Sequence, residues 1–381
     1  MSKIKVDPSQ EQQAIVEQLS ALGIPYQVEK QDDVISNYRK GKKNIHVVPK
    51  KGESMDTCAT ISDKYICCNV KVLKSVSNCP YDCSYCFLQN YLNDGTTKVV
   101  GDIKSLMDEV KEKCAAEPDR FFRIGTWELG DSLALEDVLP QARFLIEEFA
   151  SIPNAVLELK TKSDCVDSIL DAAHNHRTVV SWSLNSEYIV DYQEHKTASL
   201  PKRLAALKKV TEAGYLVGLH FDPMIIHEGW KEQYKALIEQ VIASTNPDQI
   251  AWISLGSLRF NPEMKKKIEQ NFPASSITHS EMVKGDDGKM RYVKPLRIEM
   301  YDVFLSHLKG CLGLDDISPL SPIKKSTPLF YFCMERWDIW QRFFGESPTS
   351  IQHLDLLFAQ NFYERFGQNI PFPTIENYLS K

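Results

Sequence analysis

The amino-acid sequence predicts an α/β protein built on an open, partial (β/α)6 barrel. From about residue 65 to residue 255, short apolar runs alternate with amphipathic segments at the spacing of βαβ units. The strands of such units lie parallel and are joined by right-handed crossovers. Six strand runs are present in this stretch, which is too few to close an eight-stranded barrel. The sheet is therefore expected to stay open.

The predicted elements follow one another in regular order. Each strand run is short and apolar, and each helix run carries apolar residues at a spacing of three to four. Gly214 ends the fourth of these helices. The strands are predicted at 65–76, 121–127, 155–159, 178–184, 215–221 and 249–255, and the helices between them at 102–115, 135–150, 164–174, 199–213 and 230–244.

An extension is predicted on each side of the barrel, which itself takes residues 61–260. In the N-terminal extension (1–60), residues 8–22 predict a helix ending at Gly23, and residues 44–48 predict a strand. In the C-terminal region (261–381), a Gly-Asp-Asp-Gly turn between polar–apolar arms predicts a β-hairpin over 281–295. The remaining tail is rich in aromatic residues and is interpreted as helical packing surface.

Composition limits the classes of protein to which the chain can belong. Of 381 residues, 43% are hydrophobic and 25% charged, as in ordinary globular proteins. A net charge of −6 argues against non-specific coating of nucleic acid, although two basic clusters, 39–43 and 265–267, leave a local basic groove open. No apolar stretch approaches the ~20 residues of a membrane span. The polar start of the chain and its ten cysteines lead us to expect a cytoplasmic protein with reduced thiols and no membrane partner.

Three cysteines with the spacing C-x3-C-x2-C (Cys79, Cys83 and Cys86) form the most specific motif. A closed four-iron cluster normally takes four thiolates, so a cluster with three protein ligands keeps an open position on one iron. The alternative is a zinc site, for which Cys58 is the only plausible fourth ligand. Cys67 and Cys68 are adjacent and lie in an apolar run, so they cannot supply the second ligand pair of a zinc knuckle.

Polar residues follow the predicted strands, where the active sites of parallel sheets gather. The cysteine loop follows the first strand, and other polar groups follow later strands. These groups are Glu128 and Asp131, Lys160 and Lys162, Ser183 and Asn185, and His220 and Asp222. Motif and topology therefore predict a single site.

The cysteine spacing is the signature of the radical S-adenosylmethionine (SAM) superfamily, and later segments resemble the spore photoproduct lyase family in particular. The resemblance extends from the cysteine loop to Tyr301. It implies a [4Fe-4S] cluster, SAM, and a 5′-deoxyadenosyl radical that abstracts hydrogen from a methylene-bridged thymine dimer in DNA. The segments are VSWSLN (180–185), EHKTAS (194–199), AGY and GLHFDP (213–223), HEGW (227–230), WISLG (252–256), LRF (258–260) and DGKMRY (287–292).

The resemblance also implies roles for individual residues. Cys79, Cys83 and Cys86 would bind the cluster, and Tyr85 would pack near the SAM adenine. Hydrogen bonds from Lys162, Ser183 and Asn185 would hold SAM. His220 and Asp222 would line the substrate pocket, with a structural role as the open alternative for both, and Arg291 and Tyr292 on the hairpin would contact damaged DNA. The implied partners are DNA and an electron donor such as a flavodoxin or ferredoxin.

Two departures from the family pattern affect the return of hydrogen to the product radical. The family's relay tyrosine is replaced by Phe87, and an ungapped count places Glu128 where the family has its hydrogen-return cysteine. A phenyl C–H bond and a carboxyl O–H bond are both stronger than a thiol S–H bond. Neither replacement is expected to donate a hydrogen atom easily. We expect Tyr85 and Glu128 to be catalytic residues. Glu128 and Asp131 are expected to hold the SAM amino group, as an acidic residue near the end of the second strand does in many radical SAM enzymes.

Three hypotheses remain open at this point. The first is a lyase of the photoproduct family that acts on a nucleic-acid lesion; the hairpin and the basic stretch 39–43 favour DNA. The second is a diverged radical SAM enzyme that modifies another nucleotide, peptide or small molecule. The third is a non-catalytic DNA-binding relative that keeps the cluster for stability.

Overall fold

The computed structural model describes residues 3–30, 34–58, 62, 64–367 and 370–379. Its strands are β1 (Lys3–Val6), β2 (Tyr26–Val28), β3 (Asn44–Val48), β4 (Met55–Thr57), β5 (Lys71–Leu73), β6 (Val76–Ser77), β7 (Asp82–Cys83), β8 (Thr97–Val100), β9 (Phe122–Gly125), β10 (Ala155–Thr161), β11 (Thr178–Ser183), β12 (Glu194–His195), β13 (Leu216–Met224), β14 (Ile250–Ser257), β15 (Arg259–Phe260), β16 (Met282–Lys284), β17 (Met290–Tyr292) and β18 (Leu329–Phe332).

The helices follow the same chain order. They are α1 (Ala14–Ala21), α2 (Tyr38–Gly41), α3 (Leu88–Tyr91), α4 (Ile103–Ala116), α5 (Ala142–Phe149), α6 (Glu187–Gln193), α7 (Leu200–Glu212), α8 (Trp230–Ala243), α9 (Pro262–Asn271), α10 (Lys294–Leu312), α11 (Trp337–Phe344), α12 (Ile351–Phe366) and α13 (Glu376–Leu379). Within the described ranges, no helix is both long and apolar enough to cross a membrane.

The main sheet confirms the predicted open barrel. Its strand order is β18-β14-β13-β11-β10-β9-β5-β4, and β4 alone pairs antiparallel. Edges remain at β18 and β4, so the sheet does not close. All six predicted strands are present, and β18 is a further parallel strand from the aromatic tail. The apolar run Leu-Phe-Tyr-Phe is buried throughout, as suits a strand covered on both faces.

Four predicted elements differ from the structure. The helix predicted at 8–22 begins only at Ala14. Residues 164–174 form turns rather than a helix, because their backbone hydrogen bonds span two or three residues and not four. The helix predicted at 135–150 begins only at Ala142, since Pro140 disfavours helical backbone before it. The first strand is confined to Lys71–Leu73, because Asn69 has a left-handed backbone conformation with φ 49°.

A second sheet forms the N-terminal layer, in the order β2-β1-β3-β8-β6. It has its own small apolar core, in which Val6, Leu19 and Val47 are fully buried. β6 and β8 come from beyond residue 60, and the cysteine loop lies between them in the chain. The loop is therefore connected to the N-terminal layer at both ends, while its cysteines face the main sheet.

The predicted hairpin is confirmed as β16 and β17, with Met282 opposite Tyr292 and Lys284 opposite Met290. Gly288 in its turn has φ 79°, a left-handed conformation that favours glycine. β15 pairs with β17, so the hairpin is attached to the chain that leaves the barrel after β14. This attachment brings the hairpin to the carboxyl ends of the barrel strands.

Candidate active site

A cavity of about 460 Å³ lies at the carboxyl ends of the parallel strands. Most of the residues predicted for the site line it together. They are Cys79, Cys83, Tyr85, Cys86, Glu128, Asp131, Lys162, Ser183, His220 and Asp222. Asn185, Arg291 and Tyr292 do not line this cavity. The prediction of a single site at the strand ends is therefore matched by the geometry.

The cysteine loop presents its thiols to one wall of the cavity. β7 pairs with β12, which sets Cys83 opposite Glu194. Burial raises the pKa of the Cys83 thiol to about 12 and raises that of Cys79 well above its ordinary value. These thiols are therefore protonated unless a metal displaces their protons.

The arrangement fits an iron–sulfur cluster better than a single zinc ion. Among the described residues, no three metal-ligating side chains converge on one ion. The thiolates of a cubane cluster bind different irons, so they need not converge. Cys58, the fourth ligand of the zinc alternative, donates its thiol hydrogen to Glu128 Oε1 over 3.1 Å. The donor set thus fits the cluster that the motif implies.

The N-terminal layer contacts the cysteine loop from its other side. The Tyr38 hydroxyl donates to Cys86 Sγ over 3.3 Å, and the buried Lys42 ammonium donates to the Tyr81 carbonyl. Arg39 Nε donates to Asp82 Oδ2 over 2.9 Å. The basic stretch 39–43 was expected to favour DNA binding, but part of it neutralises and supports this loop. In the sequence, the cluster of basic residues was the one indication that this segment carries a function. Nothing in the sequence identified Tyr38 as a contact of the cysteine loop.

Tyr85 is fixed by a buried ion pair. Its hydroxyl donates to Glu194 Oε1, and Arg203 Nη2 lies 2.6 Å from Glu194 Oε2. The Lys162 ammonium lies 5.8 Å from the centre of the Tyr85 ring and 4.0 Å from Glu194 Oε1. Glu194 and Arg203 were not identified from the sequence as site residues, although Glu194 begins the EHKTAS segment.

Glu128 is held in an uncommon backbone conformation. Its φ of 85° lies in the left-handed region, which costs a non-glycine residue about 1–2 kcal/mol. Two residues later Gly130 packs against the cysteine loop, where an added Cβ would lie 3.0 Å from the Asn78 carbonyl oxygen. Strain of this kind concentrates at functional sites. It directs the Glu128 carboxylate to the Cys58 thiol inside the cavity.

Asp131 shapes the same loop. Its carboxylate accepts hydrogen bonds from the Thr161 hydroxyl at 2.6 Å, the Lys162 amide at 2.7 Å and the Leu133 amide at 3.0 Å. Burial raises the pKa of Asp131 in spite of these bonds. The structure therefore gives Asp131 a role in joining the ends of β9 and β10, and its predicted contact with SAM stays a prediction.

The opposite wall of the cavity carries His220 and Asp222. His220 Nε2 lies 2.8 Å from Glu158 Oε1, and burial together with nearby Lys160 lowers its pKa to about 4. Burial would raise the pKa of Asp222, but Arg259 and Lys160 outweigh it and lower that pKa to about 2. The wall therefore presents a neutral imidazole and an ionised carboxylate paired with Arg259 Nη1 at 3.1 Å.

Arg291 and Tyr292 do not form an exposed wedge in the structure, and their predicted contact with DNA stays a prediction. Both are buried: Arg291 forms two hydrogen bonds to Asp287 of 2.8 and 2.9 Å, and the Tyr292 hydroxyl accepts the Ile226 amide hydrogen. The hairpin residue that lines the cavity is Lys289. The sequence pattern correctly predicted a hairpin but not which of its side chains face inward.

Asn185 is not among the residues that line the cavity, and its predicted contact with SAM stays a prediction. Its amide donates to the Pro223 carbonyl at 2.8 Å and accepts from the Tyr234 hydroxyl at 2.5 Å. These bonds join the loops that follow β11 and β13. Asn185 is therefore a support behind the cavity wall.

The cavity lining fits a polar, zwitterionic ligand. Lys160, Lys162 and Arg259 supply cations, and Glu128 and Asp222 supply carboxylates. Two further polar atoms of the lining, Ser254 Oγ and Trp127 Nε1, are buried without a hydrogen-bond partner among the described residues. Buried polar atoms are nearly always satisfied, so both atoms are unusual features of the cavity wall. A ligand with amino, carboxylate and adenosyl groups suits this set.

Comparisons with known proteins agree with this architecture. Residues 24–300 match the model of the family described as spore photoproduct lyase. The chain is 26% identical over 261 residues to the spore photoproduct lyase of Bacillus subtilis (strain 168), covering 68% of this chain and 72% of that protein. It is 24% identical over 251 residues to the enzyme of Clostridium acetobutylicum, covering 64% and 71%.

Solved structures show the same fold. A spore photoproduct lyase mutant with bound S-adenosylmethionine and dinucleoside spore photoproduct superposes with a TM-score of 0.71 at 22% identity. The match covers 87% of this chain and 98% of that one. A second mutant of spore photoproduct lyase superposes with the same TM-score of 0.71 at 21% identity. Because the family model spans well over half of the chain, the protein belongs to the spore photoproduct lyase family.

Proposed function

We propose that the protein is a radical SAM lyase that repairs the methylene-bridged thymine photoproduct of DNA. One observation carries the proposal. A single cavity brings together the three cysteines of the loop, Lys162 beside Tyr85, and the His220–Asp222 wall, in a chain of the spore photoproduct lyase family. Cluster ligands, a cation and polar groups that can bind substrate therefore share one cavity.

The chain's own residues would hold both cofactors. Cys79, Cys83 and Cys86 would ligate a [4Fe-4S] cluster and leave one iron open. When reduced, this cluster with SAM supplies the 5′-deoxyadenosyl radical that abstracts hydrogen from the substrate. Tyr85, whose hydroxyl is held by Glu194, offers its ring to the adenine, and Lys162 offers an ammonium to the SAM carboxylate.

The opposite wall suits a nucleic-acid substrate. Lys160, Arg259 and Lys289 give this part of the cavity positive charge, although the chain as a whole is negative. Positive groups of the lining attract phosphate, and His220, neutral at pH 7, can hydrogen-bond a base without adding charge. Lys289, rather than Arg291 or Tyr292, is the hairpin residue that this proposal places against the DNA.

We also propose that the protein lies in the cytoplasm and has a one-electron donor as its partner. The ten cysteines, all described and none in a disulfide, support a reducing cytoplasm. A one-electron donor of the flavodoxin or ferredoxin type would reduce the cluster. Exposed Lys40 lies in α2, whose Tyr38 contacts Cys86, and exposed Lys43 follows that helix. Their charge would attract such an acidic protein.

Anaerobic reconstitution tests the cofactor half of the proposal. It should give about four irons per chain, and dithionite with SAM should then yield 5′-deoxyadenosine. Cys83→Ala should abolish both, while the control Cys165→Ala, which removes a thiol outside the cavity lining, should keep both. Zinc without iron in the reconstituted protein would contradict the proposal.

An oligonucleotide that contains the thymine photoproduct tests the substrate half. Thymine should appear with the loaded protein and not with the Cys83→Ala variant. The replacement of the family's cysteine and relay tyrosine by Glu128 and Phe87 favours, as a second candidate, a related radical reaction on another substrate. 5′-Deoxyadenosine formed without any thymine would favour that candidate.

A further inference from the structure

Glu158 in β10 is a fully buried carboxylate that contacts the cavity wall without lining the cavity. One of its oxygens, Oε1, has three hydrogen-bond partners on three other strands of the main sheet. They are the Ser181 hydroxyl at 2.8 Å, His220 Nε2 at 2.8 Å and Trp252 Nε1 at 2.9 Å. Of these three partners, only His220 lines the cavity. Glu158 therefore acts on the cavity through His220.

The charge of Glu158 determines which ring nitrogen of His220 carries a hydrogen. Burial would raise the pKa of Glu158, but Arg123 and His220 outweigh it and hold that pKa below its ordinary value. An ionised carboxylate only accepts hydrogen bonds, so the hydrogen between the two side chains lies on Nε2. The imidazole is neutral, because burial and Lys160 lower its pKa to about 4. Nδ1 is therefore unprotonated and is the ring nitrogen that can accept a hydrogen bond from a ligand.

Neighbouring groups of the same wall have different hydrogen-bonding capacities. The Lys160 ammonium can only donate, and its charge acts on the His220 ring. The Asp222 carboxylate can only accept, but Arg259 Nη1 at 3.1 Å and the Cys333 thiol are hydrogen-bonded to it. His220 therefore adds an acceptor without charge next to a cationic donor.

We propose that His220 Nδ1 accepts the N3–H hydrogen of a thymine ring, and that Glu158 is the positioning residue that keeps Nδ1 unprotonated. We base this on the proposed function, because it needs a thymine ring in the cavity. A thymine that is joined to its sugar through N1 has a single N–H group, at N3. Nδ1 can therefore accept a hydrogen bond from a thymine nitrogen only there, and Lys160 can donate to a carbonyl oxygen of the ring.

Ligand analogues test this contact. Binding is measured by calorimetry in anaerobic, reconstituted protein with SAM and without reductant, so that no ligand is converted. The ligands are the dinucleoside thymine photoproduct and two 3-deaza analogues, in which one ring or the other has C–H in place of N3–H. One analogue should bind about tenfold more weakly than the parent, since one neutral hydrogen bond is lost, and the other should bind like the parent. Equal affinity of all three ligands would overturn the contact.

Two substitutions of His220 separate the roles of its ring nitrogens. His220→Asn keeps an amide oxygen near the position of Nδ1, so it should still bind the parent more tightly than the sensitive analogue. His220→Gln keeps its polar group near the position of Nε2, beside Glu158, and should bind both ligands equally. Discrimination that persists in His220→Gln and disappears in His220→Asn would contradict the assignment of Nδ1.

Nitrogen NMR tests the role of Glu158 in the full chain without cofactor or substrate. The His220 signals are identified by their absence from the spectrum of His220→Gln. At pH 7, wild type should carry the hydrogen on Nε2, and an Nδ1–H tautomer there would overturn the proposal. Glu158→Gln should raise the share of Nδ1–H, because a neutral amide holds the Nε2 hydrogen less strongly than a carboxylate does. An unchanged share would refute the positioning role.

The outcomes remain distinguishable. Glu158→Gln also removes the counter-charge of Arg123, whose Nε lies 3.7 Å from Glu158 Oε2. If that variant does not fold, the wild-type spectrum and the two His220 variants still decide the assignment. A protein that forms 5′-deoxyadenosine but binds no photoproduct would show that the proposed substrate is wrong. Equal binding of the parent and both analogues would instead refute the His220 contact alone.

Discussion

Replacing Arg203 by methionine should destabilise the protein strongly, because it leaves a buried carboxylate without its counter-charge. Arg203 is fully buried, and its guanidinium contacts Glu194 at 2.6 Å, the Thr197 hydroxyl at 2.7 Å, and the carbonyls of Ala198 at 2.9 Å and Ser183 at 3.0 Å. Removing one partner of such a pair costs about 3–5 kcal/mol, mostly as the penalty for the stranded charge. The Tyr85 hydroxyl and Lys162 remain near Glu194 and should keep the loss toward the lower end.

The pH dependence of this loss has a definite sign. Burial would raise the pKa of Glu194, but Arg203 and Lys162 outweigh it and hold that pKa below its ordinary value of 4.5. In wild type, the resulting stability is present above pH 4.5 and is lost as the pH falls through the lower, folded-state pKa. In Arg203→Met the folded-state pKa rises, and Glu194 becomes protonated on acidification. The difference between variant and wild type should therefore shrink from pH 7.5 toward pH 5.

Urea titration followed by tryptophan fluorescence measures the free energy of unfolding for this comparison. Arg143→Met is the matched control, since Arg143 is half-exposed and its ion pairs with Glu147 and Asp171 lie at the surface, where pairs contribute about 0–1 kcal/mol. Adding Glu194→Gln to Arg203→Met should recover part of the loss by removing the stranded charge. A loss for Arg203→Met no larger than for Arg143→Met, or a double variant no more stable than the single, would refute the reasoning.

Three further predictions follow from the site. Tyr38→Phe removes the hydrogen bond to Cys86 Sγ and should shift the cluster's reduction potential to a more negative value in a redox titration followed by electron paramagnetic resonance; an unchanged potential would mean that this bond does not form in the loaded protein. His220 has a folded-state pKa of about 4, so the unfolded chain binds a proton that the folded chain does not between pH 4 and 6.5. Wild type should gain up to about 3 kcal/mol of stability across that window, His220→Gln should lose most of that slope, and equal slopes in urea titrations would contradict the buried, neutral imidazole. Lys289→Gln should weaken binding of a photoproduct-containing oligonucleotide, measured by fluorescence anisotropy, without changing the free energy of unfolding. Arg291→Met should lower the free energy of unfolding, because it removes two buried hydrogen bonds to Asp287. The reverse pattern would identify Arg291, and not Lys289, as the DNA contact.

Local patterns in the sequence were sufficient for the repeating part of the fold. Alternation of apolar runs and amphipathic segments predicted six parallel strands and their order along the chain, since each strand and helix carries its own periodicity. The pattern misled where short-range effects compete: Pro140 delays α5, and residues 164–174 have helical composition but form turns. β18 was missed because its four apolar residues lie inside an aromatic-rich tail and become a strand only beside β14.

The residues of the site were also predictable only in part from local sequence patterns. Cys79, Cys83 and Cys86 were identifiable by spacing alone, because one short loop carries all three ligands. Contacts between distant segments left no such signal. Tyr38 reaches Cys86 across 48 positions of the chain, and Cys58 reaches Glu128 across 70.

The sequence by itself determined where the site lies. The cysteine motif, the strand order and the polar groups at the strand ends all predicted one site. Only the tertiary structure decided which thiol faces that site and which hairpin side chain lines it. The physical reason is that periodicity and ligand spacing are properties of short segments. The meeting of Cys58 with Glu128, and the inward direction of Lys289 with Arg291 buried, depend instead on how sheets and loops pack against one another.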